Sequence, residues 1–483
     1  MSLTRKVATS TIIQVISRIL QTIGGLILLK MVAQYLGVAG IGELTTVFAY
    51  VGLVGIFADM GFFLILVREI AQSPKQETVL VNNVITLRSL FSLLLFLVGF
   101  AIVWLLSYSY EVKVAIGIYS LASFWPQIGT TIAAVFQSRY RIDKAAAGDI
   151  LRTVASIAGV ALAIRLDAGL VGVFVGYLVA NVLGFLLQFA LLQHYVRFRV
   201  SFDLAIWRRI LVEALPFGLV AILGFVYLKI DTVLLSLMKS SVDVGIYGPS
   251  FKIMEVAAAL PAYFMSAVMP IYSRYAATKD PRLVHIFQRS FDVLVIAAVP
   301  VVIGTILVAQ ALIPVLATDE FVVASTVLVF GMPATAATAL SILIVTCLFL
   351  FANHSVGYLL IAGGYQRELI GPYLGIAIFN IVANLLLIPN YSYVGTSVTT
   401  VLTEVLVLIT SLSLVHRHFG LQPVLDRLGK ALLAGALMAI PVYLVREHIL
   451  LAVGLGALSY GGVLYALKGI TKDDIAPLFA KSV

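Results

Sequence analysis

A single cysteine, Cys347, is all that the 483 residues provide, and it lies in an apolar run. Neither a disulfide framework nor a cysteine-based metal site can be built from it. Charge is scarce as well: only 11% of the chain is Asp, Glu, Lys or Arg. No polar stretch is long enough to fold a domain of its own. The six histidines are scattered through loops and helix ends, and only His416 and His418 lie close together. Membrane-embedded glycosyl- or phosphotransferases want paired carboxylates near one interface, or His and metal clusters. The expectation is therefore not an enzyme, with no cofactor. There is also no Gly-x4-Gly-Lys-Ser/Thr phosphate loop, so any energy is expected from an ion gradient, the membrane potential or consumption of product on the far side.

What the chain has is hydrophobicity, at 61% of residues, in runs of about 20 that recur from end to end, the length a bilayer-spanning helix requires. The fold class is an all-α polytopic membrane protein, and hydropathy and turn residues divide it into about 14 transmembrane helices. The start, MSLTRK followed by a long apolar stretch without a small-residue cleavage site, reads as the first span rather than as a signal peptide. The net charge of +9 is what the positive-inside rule produces in any multi-span protein, and no nucleic-acid partner is expected. With fourteen spans, twenty-three Lys and Arg fall on one side, in clusters such as Arg139, Arg141, Lys144 and Arg152, or Arg197, Arg199, Arg208 and Arg209. Only Lys113, Arg165, Lys239 and Arg446 fall on the other. Both termini are thus expected in the cytoplasm.

Two internal features suggest halves. "GIGELTTVFAYV" from Gly40 and "GIYGPSFKIMEV" from Gly245 each follow an odd-numbered span and lead to a cytoplasmic Arg, Arg68 and Arg274. Paired bundles of this kind serve alternating access in many transporters. In "SFDLAIWRRILVEALPFG", Asp203 is placed to cap a short helix laying Leu204, Trp207 and Ile210 on the lipid before the span opened by Pro216. Further along, "NIVANLLLIPNYSYVGTSVTTVLTE" reads as a tight external turn at Pro389 to Tyr393, with Tyr391 and Tyr393 at headgroup level. The small hydroxyl residues after it are expected to pack helices rather than to bind.

This last stretch, with "YLGVAGIGELTTVFAYVGLVGIFADMGFFLILVREIA" and "DTVLLSLMKSSVDVGIYGPSFKIMEV", resembles the Wzx-type polysaccharide and O-antigen flippases of the multidrug/oligosaccharidyl-lipid/polysaccharide (MOP) exporter superfamily. The resemblance implies two six-helix bundles around a central cavity, residues 1–200 and 201–420, with two additional helices and a cytoplasmic tail over 421–483. It implies a flippase in the cell membrane that moves a polyprenyl-diphosphate-linked oligosaccharide outward for cell-surface polysaccharide biosynthesis. The partners implied are that lipid-linked oligosaccharide, membrane lipids and a downstream polysaccharide polymerase. A cation-coupled multidrug exporter of the same superfamily is the alternative, which would favour acidic and aromatic cavity walls.

Charges inside the membrane cost roughly 2.5–3.5 kcal/mol each at a helix centre, so each one asks for a reason. Arg18, flanked at helical spacing by Gln14 and Gln21, lies near mid-depth and is the leading candidate to hold a diphosphate, with Lys229, Lys252 and Arg88. Lys252 and Glu255 are three apart on one helix face and have the competing reading of a self-neutralising pair. Arg88 has that of an ion pair with a carboxylate on another helix. Glu404, Asp231, Asp59 and Glu255 are the candidates for ion coupling or gating, with H+ or Na+ as the possible coupling ion. Asp59, before Met60-Gly61, reads as a packing or gate residue.

Overall fold

The computed structural model describes the backbone of residues 3–72, 74–329 and 331–470. Side chains of residues 3–12 and of Leu64, Ala71, Pro74, Pro216, Phe217, Val220, Ala221, Phe225, Tyr227 and Leu228 lie outside the description. So do Lys472 and Lys481, two of the basic residues counted above.

The chain is nearly all helix. In order it forms α1 (Leu3–Asp59), α2 (Phe62–Gln72), α3 (Glu77–Val103), α4 (Tyr110–Ser138), α5 (Ile142–Arg165), α6 (Gly169–Leu192) and α7 (Leu204–Met238). There follow α8 (Ser241–Ala258), α9 (Leu260–Thr278), α10 (Arg282–Leu316) and the single turn α11 (Glu320–Val323). A small antiparallel hairpin of β1 (Val327–Val329) and β2 (Met332–Ala334) precedes α12 (Ala336–Leu343), α13 (Thr346–Ala362), α14 (Ile370–Phe419), α15 (Asp426–Leu444) and α16 (Ile449–Ala466).

Ten stretches among the described residues are long and apolar enough to cross a membrane. Two of them, Ile13–Asp59 (47 residues) and Gln366–Phe419 (54 residues), exceed what one bilayer crossing uses, and both are broken in the middle. In α1 the break is Gly37, at φ 64°, ψ −166°, a conformation that only glycine adopts cheaply. In α14 it is Ser392, at φ 46°.

By contacts the chain divides into two compact units, Met1–Gly245 and Ile246–Val483. In the first, Phe62, Leu66, Val84, Val135 and Phe136 form a buried core shared by α2, α3 and α4, and Ile210 and Ala214 of α7 enter it. In the second, α10, α15 and α16 meet around Val299, Ala434, Met438 and Tyr460.

Asp203 does cap α7: its Oδ1 accepts from the backbone N–H of Ala205 (2.9 Å) and Ile206 (3.1 Å). Leu204 is exposed, as a lipid-facing residue would be. Trp207 and Ile210, expected beside it on the lipid, instead turn inward. Ile210 is 1% exposed, and Trp207 Nε1 donates to Asn83 Oδ1 (3.1 Å) on α3. Asn83 also accepts from the Asp203 backbone N–H and donates to Ser201 Oγ, so one buried amide clasps the whole segment. A donor that would otherwise be buried unpaired outweighs the amphipathic preference for lipid.

The Pro389–Tyr393 segment is corrected in the same way. Tyr391 is exposed, but Tyr393 is fully buried and its hydroxyl donates to the Ala334 carbonyl beside β2. The hydroxyl run behind it packs: Thr396, Ser397, Thr399, Thr400 and Thr403 are all buried, each Oγ bonded to the carbonyl four residues back.

Within the first unit, α1 and the start of α8 approach so closely that no side chain fits. A Cβ at Gly42 would sit 1.7 Å from the Ser241 carbonyl oxygen, and one at Gly245 would sit 1.9 Å from that of Val38. Both obstacles are backbone, which cannot rotate away. Gly42→Ala and Gly245→Ala are each expected to lower the stability of the detergent-solubilised protein by about 1–3 kcal/mol, read as a fall in melting temperature. Gly25→Ala, where nothing lies within 4 Å, is the control expected to leave it unchanged.

Candidate functional site

The first unit holds a partly open cavity of about 380 Å³ whose wall mixes polar and apolar surface. From α1 come Gln14, Ser17, Arg18, Gln21 and, at the helix end, Asp59. From α4 come Thr130 and Gln137, from α5 Asp149 and Arg152, and from α6 Gln188. Phe63, Pro126 and Ile142 supply apolar surface.

Asp59 ends α1, and a carboxylate at a helix C-terminus meets the negative end of the helix dipole. Its place is held by Arg88 of α3, whose side chain is 0% exposed and whose Nη2 is ion-paired with Asp59 Oδ1. Arg88 also donates to Gln127 Oε1 (2.8 Å) and Thr131 Oγ1 (3.1 Å) of α4, and its guanidinium lies 5.8 Å from the centre of the Phe62 ring. Gln127 in turn donates to the Gly55 carbonyl of α1 (3.0 Å). Immediately after Asp59 the helix is broken by Met60 (φ 40°) and Gly61 (φ 75°), which redirect the chain into α2. One arginine therefore joins α1, α2, α3 and α4 while presenting Asp59, 38% exposed, to the cavity.

Asp149 and Arg152 form a second pair on α5, 3.0 Å apart. Gln188 Nε2 adds a bond to Asp149 Oδ1 (3.4 Å) and one to the Ala145 carbonyl (3.1 Å). Both carboxylates on the wall thus have their own guanidinium. Arg18 has no carboxylate partner among the described residues. With the pairs cancelling, the wall carries one surplus positive charge.

Of the candidates read from the sequence, the structure brings Arg18, Asp59 and Arg88 to this cavity, Arg88 from behind Asp59. Lys229 and Asp231 lie on α7 and do not line it; Asp231 is fully buried and accepts from the Thr232 backbone N–H (2.5 Å). Lys252 and Glu255 belong to the second unit, where they pair at 2.8 Å. Glu404, also in the second unit, is 1% exposed, and neither carboxyl oxygen receives a hydrogen bond among the described residues. Near it Asn380 donates to Thr403 Oγ1 (3.0 Å) and Asn384 to Asn380 Oδ1 (3.1 Å), while Asn384 Oδ1 and Ser411 Oγ have no partner.

The cavity residues that sequence reasoning passed over are Asp149, Arg152, Gln137 and Gln188. Arg152 was counted as a loop charge because hydropathy starts that span near 150, whereas α5 begins at Ile142. Gln188 had a legible signal: it is the one amide in "GFLLQFALL". Among the described residues no group of three or more His, Cys, Asp or Glu could hold a metal ion.

Removing Asp59 leaves Arg88 a buried cation without its counterion, at a cost of ~3 kcal/mol or more. Asp59→Ala is expected to lower the melting temperature sharply, and Asp59→Ala with Arg88→Met to recover much of that loss. A double-mutant cycle by thermal unfolding in detergent checks this, and additive losses would show that the pair is not coupled.

A family model described as polysaccharide biosynthesis protein matches residues 3–276. The probable flippase AglR of Haloferax volcanii is 22% identical over 269 residues, 53% of this chain and 54% of that protein. The match thus spans about half the length of that curated relative. Among solved structures the chain is similar to the lipid II flippase MurJ in an inward closed conformation, with a TM-score of 0.76 at 15% identity, covering 95% of this chain and 98% of that one. It is also similar to an inward-facing multidrug resistance MATE family transporter of the MOP superfamily, with a TM-score of 0.65 at 14% identity over 83% and 94% of the two chains. Both are likenesses of fold. The family model covers more than half of the sequence, and the chain belongs to the polysaccharide biosynthesis protein family.

Proposed function

We propose that this protein is a flippase that moves a polyprenyl-diphosphate-linked oligosaccharide from the cytoplasmic to the outer leaflet by alternating access. The observation that carries the reading is the surplus charge of Arg18: a cavity whose other charges are paired, and whose remaining guanidinium has no carboxylate partner among the described residues, is complementary to an anion. A guanidinium offers the two-pronged hydrogen bonding that diphosphate oxygens accept. The glycan would lie on the amide and hydroxyl wall while the polyprenyl tail stays in lipid, since sugar hydroxyls cannot cross hydrocarbon unaided. The family membership, the relative named as a probable flippase and the MurJ-like fold all support this direction. The expected setting is the cell membrane with both termini in the cytoplasm and a polysaccharide polymerase acting on the product.

The MATE-like fold supports a multidrug exporter as the second reading. Its weakness is electrostatic: Asp59 and Asp149 are each neutralised by an arginine, so the wall does not attract a cationic drug.

Glu404 is proposed as the carrier of the coupling ion. A buried carboxyl whose oxygens find no donor is chemically incomplete, and a proton or Na+ completes it. Lys229 and Lys252 are proposed as further diphosphate contacts, and Asp231 and Glu255 as gating residues.

In liposomes bearing a fluorescent polyprenyl-diphosphate oligosaccharide, wild-type protein is expected to expose the lipid to the outer leaflet. Arg18→Ala should fold and lose at least tenfold in rate, about the 1.5–3 kcal/mol of a hydrogen bond to a charged group. Full activity in that variant would remove Arg18 from the site, and dye efflux without lipid movement would favour the drug exporter. Glu404→Gln is expected to abolish the response of the rate to an imposed H+ or Na+ gradient. An unchanged gradient response would place coupling elsewhere.

A further inference from the structure

Building on the flippase reading, we infer that Asp149, with Arg152 and Gln188, forms a saccharide subsite that reads the hydroxyls of the sugars next to the diphosphate and favours neutral over acidic ones.

The first observation is how the carboxylate is dressed. Asp149 Oδ1 meets both groups: it is ion-paired with Arg152 Nη2 at 3.0 Å and accepts from Gln188 Nε2 at 3.4 Å. Oδ2 receives no hydrogen bond among the described residues, and the side chain is 29% exposed on a cavity wall. A carboxylate oriented through one oxygen presents the other as a fixed acceptor, and a sugar hydroxyl is the neutral donor that matches it. Asp59 repeats the arrangement, its Oδ1 held by Arg88.

The second observation is that the amide is built in rather than merely present. Gln188 is 6% exposed and lies over two glycines. A Cβ at Gly148 would come within 2.3 Å of its Cγ, and one at Gly129 within 2.6 Å of its Oε1. Two helices give up their side chains where Gln188 lies. An i,i+3 pair on a helix surface needs no such support and is worth only a few tenths of a kcal/mol.

The third observation is charge. Arg18 is the one cation on this wall left for an anionic ligand, and in the flippase reading the diphosphate takes it. A uronate or other acidic sugar at Asp149 would face a carboxylate with no free cation beside it. Because Arg18 and Asp149 line the same cavity of about 380 Å³, the sugars read by Asp149 are those adjoining the diphosphate. That size is at the small end of ligand pockets, ~300–1,000 Å³, and suits the first residues of a glycan rather than the whole.

The test measures affinity of the full-length protein in nanodiscs for three probes: polyprenyl diphosphate without sugar, the same lipid with a neutral trisaccharide, and with a trisaccharide of uronic acids. Wild-type protein is expected to prefer the neutral glycan-lipid to each of the others by about tenfold, the worth of one hydrogen bond to a charged group. In Asp149→Asn, and separately in Gln188→Leu, the ratio of neutral-glycan to sugar-free affinity should fall towards one. Equal wild-type affinity for neutral and acidic glycan-lipids overturns the inference, and needs no variant to fold. An unchanged ratio in the folded variants also overturns it. Outer-leaflet exposure, followed in parallel, separates the two readings. Translocation by wild type that is indifferent to Asp149→Asn removes the subsite alone. Asp149-dependent glycan binding without translocation removes the flippase reading and keeps the subsite.

Discussion

Arg88 is a cation with no solvent exposure in a protein built for hydrocarbon, and the first unit is organised around the need to satisfy it. Its charge is met by Asp59, and two more of its hydrogen bonds go to Gln127 and Thr131, while Nε finds no partner among the described residues. Asp59 comes from α1 and Gln127 and Thr131 from α4, so meeting the desolvation cost of one guanidinium on α3 holds three helices in a single arrangement. Asp59 gains as much as it gives: at the C-terminal end of α1 it would face the helix dipole unaided. Because one of its oxygens is held from behind, the other is free to form part of the cavity wall. The packing requirement and the cavity surface are two sides of one ion pair.

The same economy recurs across the molecule. Asn83 of α3 clasps the segment leading into α7, and Tyr393 anchors the break in α14 to the Ala334 carbonyl. The buried threonines and serines behind that break return their hydroxyls to their own helix, leaving small surfaces that let helices pack. Where hydrogen bonding is complete, the structure needs no ligand. Among the described residues several buried polar atoms find no partner, Arg88 Nε and Asn384 Oδ1 as well as both carboxyl oxygens of Glu404, so an unpaired atom marks a binding site only where a cavity adjoins it.

Part of the candidate site was legible in the sequence. Arg18 with Gln14 and Gln21 at helical spacing announced a polar helix face, and the structure turns that face to the cavity. Arg88 was open between substrate contact and interhelical ion pair, and Asp59 read as a packing or gate residue; the two proved to be partners. Lys252 with Glu255 was legible from spacing alone, because three residues on a helix bring two side chains together. The residues misassigned to lipid or headgroups failed for one reason. Trp207, Ile210 and Tyr393 were assigned to lipid or headgroups by amphipathic and aromatic-belt patterns, which weigh apolar area. Their placement was decided by a single polar atom far away in sequence, Asn83 Oδ1 for the segment bearing Trp207 and the Ala334 carbonyl for Tyr393.

Composition and periodicity therefore determined that this chain is a bundle of apolar helices in a membrane, which charges inside it needed an explanation, and where helix caps such as Asp203 fall. Those are local properties: hydropathy, helical spacing and the backbone hydrogen bonds of a helix end are complete within a few residues. Tertiary structure alone decided that Asp59 belongs to Arg88, that Asp149, Arg152 and Gln188 share a wall with Arg18, and that Arg18 is left over. The physical reason is that a charge in low dielectric takes whichever partner the fold brings within hydrogen-bonding distance. That distance is set by helix packing rather than by separation along the chain.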